Sequence, residues 1–337
     1  MRSLVTGGAG FIGAHVARHL VADGHDVVVL DDLSSGFERN VPEEVTFVEG
    51  SVADPVLVDE LFKEHGFDYV FHLAAYAAES LSHFIRRFNY TNNVLGSVNV
   101  INASVRSGTV KRFVFTSSIA VYGAGQVPMS EALTPEPEDP YGIGKYAIEL
   151  DLRAAQRLFG LDYTVFRPHN VYGELQNLGD PYRNVIGIFM NQVLQGQPMT
   201  VFGDGSQTRA FTHVDDVAPI LARSVHVDAA RNEVFNIGAD TPYTVLSIAK
   251  EVARALDEED AEIMFLEQRK EVVHAFSDHR KLAEVFGGES TVTLEEGVNR
   301  MAAWALEVGA QPSARFSEVE ILRNLPPSWA EGLKQSV

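Results

Sequence analysis

The stretch Thr6-Gly-Gly-Ala-Gly-Phe-Ile-Gly13 follows a short apolar run, Leu4 and Val5, and leads into Ile12, Val16, Ala17 and Leu20 at helical spacing. This order predicts a strand, a glycine turn and a helix. Gly8, Gly10 and Gly13 satisfy G-x-G-x-x-G, while Gly7, Gly10 and Gly13 satisfy the looser G-x-x-G-x-x-G. Glycines so placed permit a tight turn, a close backbone approach to a pyrophosphate, and close packing of helix on sheet. The start of the helix then aims free N–H groups and the positive end of its dipole at the phosphates. Taken alone, the pattern fits an ordinary turn as well as a dinucleotide site.

The next segment decides between the two. Asp26-Val-Val-Val-Leu-Asp-Asp32 reads as a buried strand ending in acid, with Asp31 eighteen residues beyond Gly13. A carboxylate there can accept both hydroxyls of an adenosine ribose and repels a 2′-phosphate. The expected cofactor is therefore NAD rather than NADP.

Bulk properties narrow the partners. A chain of 337 residues, 45% hydrophobic, suits one large domain or two closely joined ones. A formal net charge of −19 argues against nucleic acid and anionic membranes. No segment is apolar for long enough to span a bilayer. The absence of cysteine removes disulfides, thiolate chemistry and Cys-based zinc sites, and fits a reducing compartment. With the first strand starting at the N-terminus and no room for a signal peptide, a cytoplasmic location is expected. The eleven histidines are scattered, and no metal site is expected.

Further strands are predicted at Val45–Val48, Tyr69–His72, Arg112–Thr116, Asp162–Arg167 and Val234–Ile237. Helices are predicted at Val56–Glu64, Asn89–Ser107, Tyr141–Phe159 and Val214–Val225. Apolar strands alternating with amphipathic helices imply a doubly wound parallel sheet with helices on both faces. Ligands bind such sheets beyond the carboxyl ends of the strands. The segments Gly50–Asp54, His72–Ala75 and Thr116–Ser118 fall there. His72 reads as a packed structural histidine.

Tyr141 and Lys145, in Tyr141-Gly-Ile-Gly-Lys145, occupy one helical face and can reach one ligand. A tyrosine with a pKa of about 10 is a poor base at neutral pH. Lowering it by about three units takes roughly 4 kcal/mol of preferential phenolate stabilisation, which a nearby ammonium and a cationic nicotinamide can supply together. Ser118 can share the proton of a substrate hydroxyl. The Y-x-x-x-K spacing alone is common by chance.

In order along the chain stand TGGAGFIG, an acid after the second strand, HLAA, TSS-x-x-VYG, YGIGK and FRPHNVYG. Together they resemble the extended short-chain dehydrogenase/reductase superfamily over nearly the whole chain. Within it the likeness is to the NAD-dependent nucleotide-sugar epimerases. The resemblance implies a Rossmann domain over residues 1–170, rejoined by 213–240. It also implies a smaller α/β substrate-binding lobe over 171–212 and 241–337. It makes Ser118, Tyr141 and Lys145 the catalytic triad. It assigns NAD contacts to Gly7, Gly10, Phe11, Ile12, Gly13, Asp31, Asp32, Ser51, Val52, Leu73, Ala74, Ala75, Asn93, Tyr141, Lys145 and Pro168.

Substrate contacts are implied at Ser117, Ser118, Asn170, Asn184, Phe202, Arg209, Arg269 and Ala275. The arginines match diphosphate-binding positions, and guanidinium groups grip phosphate oxygens bidentately. Ser51 stands where the family usually has an adenine-binding aspartate, leaving the choice between Ser51 and Asp54 open. Ala275 replaces a bulky residue that narrows the sugar pocket in some epimerases. The implied reaction inverts C4 of a UDP-hexose, with UDP-glucose and UDP-galactose favoured. UDP-N-acetylhexosamine or UDP-glucuronate are alternatives. A dehydratase or decarboxylase would need an acid beside Ser118, where Ile119 stands. A non-catalytic NAD-binding sensor is the alternative of another class. A homodimer is expected, paired through the helices Asn89–Ser107 and Tyr141–Phe159.

Overall fold

A computed structural model describes residues 1–337 except 126, 269–273, 289–290, 314–315 and 331–337, with backbone only at 328 and 330. Strand β1 (Arg2–Thr6) turns into helix α1 (Phe11–Ala22) and then β2 (Asp26–Asp31), β3 (Thr46–Glu49), α2 (Pro55–His65) and β4 (Tyr69–His72). Two short helices, α3 (Glu79–Ser82) and α4 (Arg86–Tyr90), precede α5 (Gly96–Ser107), β5 (Arg112–Thr116), α6 (Pro140–Phe159) and β6 (Tyr163–Pro168). The chain then builds β7 (Val171–Tyr172), α7 (Val185–Leu194), β8 (Met199–Phe202), β9 (Thr208–Ala210), β10 (Thr212–His213) and α8 (Ala218–Arg223). It returns to the main sheet as β11 (Glu233–Ile237), followed by β12 (Pro242–Thr244), α9 (Val245–Ala255), β13 (Ile263–Leu266), β14 (His274–Ala275), α10 (Arg280–Phe286) and α11 (Leu294–Val308).

The main sheet has seven parallel strands in the order β11-β6-β5-β4-β1-β2-β3. Strand order reverses at β1, so the crossovers leave β1 and β4 in opposite directions and open a crevice between them. Neighbouring side chains on a strand point to opposite faces. Val5, Val29, Phe71 and Phe166 accordingly join one core, and Leu4, Val28, Val70 and Phe113 the other. Both faces being covered is why these strands read as unbroken apolar runs. A third core, around Phe189, Val201, Ile248 and Met301, fills the smaller lobe.

Three features differ from the sequence reading. The helix expected from Asn89 starts at Arg86 and carries a π-helical turn, Thr91–Leu95, before α5. The single helix expected over Val214–Val225 is α8 flanked by two 3₁₀ turns, because Pro219 is tolerated only in a helix's first turn and starts a new one there. Finally, α10 lies within the lobe boundaries drawn from sequence but packs Leu282 and Phe286 into the sheet core beside Phe166 and Phe235. Its short apolar face carries no marker of which half it serves.

Candidate active site

One cavity of about 2090 Å³ runs from the glycine turn, past the carboxyl ends of the sheet strands, to the lobe. Every cofactor and substrate contact that the resemblance assigns lines it except Ser51 and Asn93, with Arg269 lying outside the described residues.

At the glycine turn, Gly7 has φ +73°, and a Cβ there would sit 2.7 Å from the Ala74 backbone nitrogen. A Cβ on Gly13 would sit 2.1 Å from the Gly7 carbonyl oxygen. Only glycine lets α1 approach the turn this closely. Gly10 caps α1 without a side-chain acceptor, leaving the helix's first N–H groups to the cavity. Asp31, at the end of β2, accepts the Ala9 N–H at Oδ2 (3.0 Å) and the Leu33 N–H at Oδ1 (2.8 Å). Burial raises its pKa, and these hydrogen bonds oppose the rise. The carboxylate still has acceptor capacity for a further donor. The cradle and the acid suit a dinucleotide whose ribose carries free hydroxyls.

Ser51 accepts the Ala53 N–H (3.3 Å), and Asp54 caps α2 by accepting from Val56 and Leu57 (2.9 and 3.2 Å). Neither lines the cavity. Asn93 is buried and clamps Tyr76, accepting its N–H (2.8 Å) and donating to its carbonyl (3.1 Å). His72 is fully buried, bridging Thr6 (2.7 Å) and Ser97 (2.8 Å), and burial brings its pKa down to about 3. It is a neutral strut joining β1, β4 and α5.

Helix α6 owes its start to Asp139, whose Oδ1 accepts the N–H of Tyr141 (2.9 Å) and Gly142 (3.0 Å). Tyr141 is buried and lies on the same cavity wall as Ser118, which sits where β5 gives way to a 3₁₀ turn. Burial pushes the Tyr141 phenol up, and the Ser118 hydroxyl opposes this. Lys145, one helical turn on, donates to the Thr116 carbonyl (2.7 Å), and its Nζ lies 5.8 Å from the Tyr141 ring centroid. Burial brings Lys145 down to about 7, against the pull of Glu149. The three groups thus share one wall of the cavity.

Directly behind that wall is a polar network that sequence reasoning did not find. Ser117 donates to Glu149 (2.6 Å), which holds Arg167 through two hydrogen bonds (3.0 and 2.6 Å). Arg167 also donates to the Tyr122 hydroxyl (2.6 Å), which donates to Asn236 (2.8 Å). The hydroxyl of Ser117 is therefore committed inward. Arg167 within an apolar strand signals that a carboxylate partner is needed, but nothing local says that it is Glu149.

The lobe supplies the opposite wall. Asn170, at φ +40°, donates to the Ala210 carbonyl (3.0 Å), and Asn184 caps α7 while donating to the Val171 carbonyl (2.7 Å). Phe202 ends β8. Arg209 lies in β9 and donates to the Thr208 carbonyl (2.9 Å), paired in register with Ala275 of β14. Ala275 packs against Val121, Tyr122 and Met129. Among the described residues, no group of three His, Asp or Glu side chains is placed to hold a metal, and no helix is long and apolar enough to cross a membrane.

Residues 3–238 match the model of the NAD dependent epimerase/dehydratase family. The UDP-glucose 4-epimerase of Mycolicibacterium smegmatis is 35% identical over 88% of this chain and 96% of its own. The UDP-N-acetyl-alpha-D-glucosaminuronate decarboxylase of Bacillus cytotoxicus is 30% identical over 91% of this chain and 98% of its own. The UDP-glucose 4-epimerase of Thermotoga maritima, solved with UDP-glucose, superposes with a TM-score of 0.85 at 36% identity, over 91% of this chain and 99% of its own. Glycine cradle, acid-tipped second strand and family match agree: this chain is a member of the NAD dependent epimerase/dehydratase family.

Proposed function

We propose that this protein is a UDP-sugar 4-epimerase acting on UDP-glucose and UDP-galactose. The observation that carries the reading is Ser118, Tyr141 and Lys145 sharing one cavity with both the glycine turn and the lobe wall of Asn170, Phe202 and Arg209. Gly7, Gly10, Phe11, Gly13 and Asp31 would hold NAD. Bound NAD would supply a reversible two-electron acceptor for the C4 hydride, so that no net oxidation results.

The chain's own residues manage the proton. Tyr141 takes it from the sugar 4-hydroxyl, and Ser118 orients that hydroxyl through its hydrogen bond. Burial raises the cost of the phenolate, and a Lys145 ammonium 5.8 Å from the ring centroid would work against that cost. Arg209 and the backbone around Asn170 grip the diphosphate, leaving the sugar free to turn and present its other face.

The names of two relatives support 4-epimerisation, and a third points to decarboxylation. Ile119 in place of an acid beside Ser118 favours the first. Incubation with UDP-glucose is expected to give UDP-galactose, alongside a panel of UDP-N-acetylglucosamine and UDP-glucuronate. Loss of carbon dioxide from UDP-glucuronate without epimerised product would overturn the reading, and binding of NAD with no turnover would favour a sensor. Pairing of two copies through the outer faces of α5 and α6 belongs to the same proposal.

A further inference from the structure

Beyond α11 the described residues Pro312, Ser313 and several from Ile321 to Trp329 contribute to the lining of the cavity. Gln311 pins the chain to α7: its N–H donates to Asn191 (2.8 Å), and its carbonyl accepts from Asn191 (3.0 Å) and Gln195 (2.7 Å). Further on, the Phe316 ring packs against Tyr76 (5.4 Å) and Phe88 (4.8 Å). Glu320 then accepts the N–H groups of Arg87 and Phe88, 2.8 Å each, at the start of α4. Leu325 and Trp329 close the segment against Ala78, Leu81 and Ile85, with Trp329 edge-on to Tyr182 (5.0 Å). Between these anchors Ile321, Arg323 and Asn324 face the cavity that holds Ser118 and Tyr141.

The location of this strap is informative. It lies on α3, whose Ser82 accepts the Tyr141 N–H (3.2 Å), and so covers the reacting end of the cavity. Phe316 also backs Tyr76, over whose ring the Arg183 guanidinium lies at 5.0 Å. Arg183 is 2.9 Å from Asp180, yet its buried Nη2 has no hydrogen-bond partner among the described residues. A buried guanidinium donor left unpaired is costly, and a ligand oxygen at this wall would satisfy it.

We propose that the strap from Phe316 to Trp329, together with the Arg183 it holds through Tyr76, is the specificity wall for the sugar moiety of the substrate. The nucleotide is held elsewhere. This rests on the reading of the cavity as a UDP-sugar site, so the test separates sugar from nucleotide. In the full-length protein, Glu320→Ala releases the strap from α4, Phe316→Leu loosens Tyr76, and Arg183→Met removes the donor. Arg183→Met is expected to raise KM for the UDP-sugar by about tenfold, the size of one lost charged hydrogen bond, and the other two to shift it in the same direction. The inhibition constant of UDP is expected to stay unchanged.

If UDP weakens in step with UDP-sugar, or if neither changes, the proposal is overturned. Should the wild type turn over no UDP-sugar, the epimerase reading fails on its own, and binding still decides the wall. Trp329 emission, read in a Trp304→Phe background, is then titrated with UDP-glucose and with UDP. A preference for UDP-glucose that disappears in Glu320→Ala supports the wall; no preference, or one that survives the substitution, refutes it.

Discussion

Tyr141 and Lys145 are both driven by burial toward their neutral forms, in opposite directions on the pH scale. Tyr141→Phe keeps the ring and its packing while removing the proton acceptor. Turnover is expected to fall by about 10²–10⁴ with little change in melting temperature; a steady-state assay on the folded variant checks it. Lys145 makes a separate prediction about stability. Its folded pKa of about 7 lies below its ordinary 10.5, so between those values the unfolded chain binds more protons and stability rises with pH. The buried charge costs most at and below pH 7. Lys145→Met should therefore melt higher than wild type near pH 7, with the advantage fading toward pH 10; a thermal series without cofactor reads this directly. A gap independent of pH would contradict the assigned shift.

At the scale of elements, α6 depends on one cap. Asp139→Ala removes the acceptor shared by two N–H groups at its start, stranding that of Gly142 and leaving that of Tyr141 to the longer bond with Ser82. A loss of about 1–2 kcal/mol in stability is expected, and turnover should fall with it, whereas Asp139→Asn should recover most of both. Denaturant melts and kinetics on the two variants test the pair. The glycine turn, the acid ending β2, and Tyr141 and Lys145 on one helix were all legible in sequence, because each is a local pattern set by backbone geometry. Arg167 with Glu149, and Arg183 with Tyr76, were not, since partners brought together from separate segments leave no periodic trace. Asn93 shows the same limit from the other side. It sits where the family resemblance puts a cofactor contact, but its side chain is occupied in holding Tyr76. The break before α8 was announced by Pro219, and the helical spacing of Val214, Val217, Leu221 and Val225 across it masked that signal.

For the whole molecule, the outer faces of the segment leading into α5 and of α6 leave large apolar side chains in solvent. Leu95, Ile143, Leu150, Leu158 and Phe159 are each at least 41% exposed. Apolar groups collected on adjacent helices signal association. A dimeric mass in sedimentation is expected, with Leu158→Glu shifting it toward monomer; a monomeric wild type at micromolar concentration would count against the pairing. The doubly wound order was legible because alternating strands and helices admit few arrangements. The path of the C-terminal strap was not, since an irregular segment has no period to read.

The return of β11 to the sheet has a consequence for how the chain emerges from the ribosome. Strand β6 is complete at Pro168, but the strand that pairs with its outer edge begins only at Glu233. Everything from β7 to α8 must be synthesised in between. Throughout that interval the apolar run Tyr163–Phe166 presents an unsatisfied edge, a template for pairing with another nascent chain. Arrival of Phe235 and Ile237 both seals the sheet and fills its core. Translation that stalls before Glu233 therefore leaves this edge open to another chain, and its closure comes with a single five-residue strand.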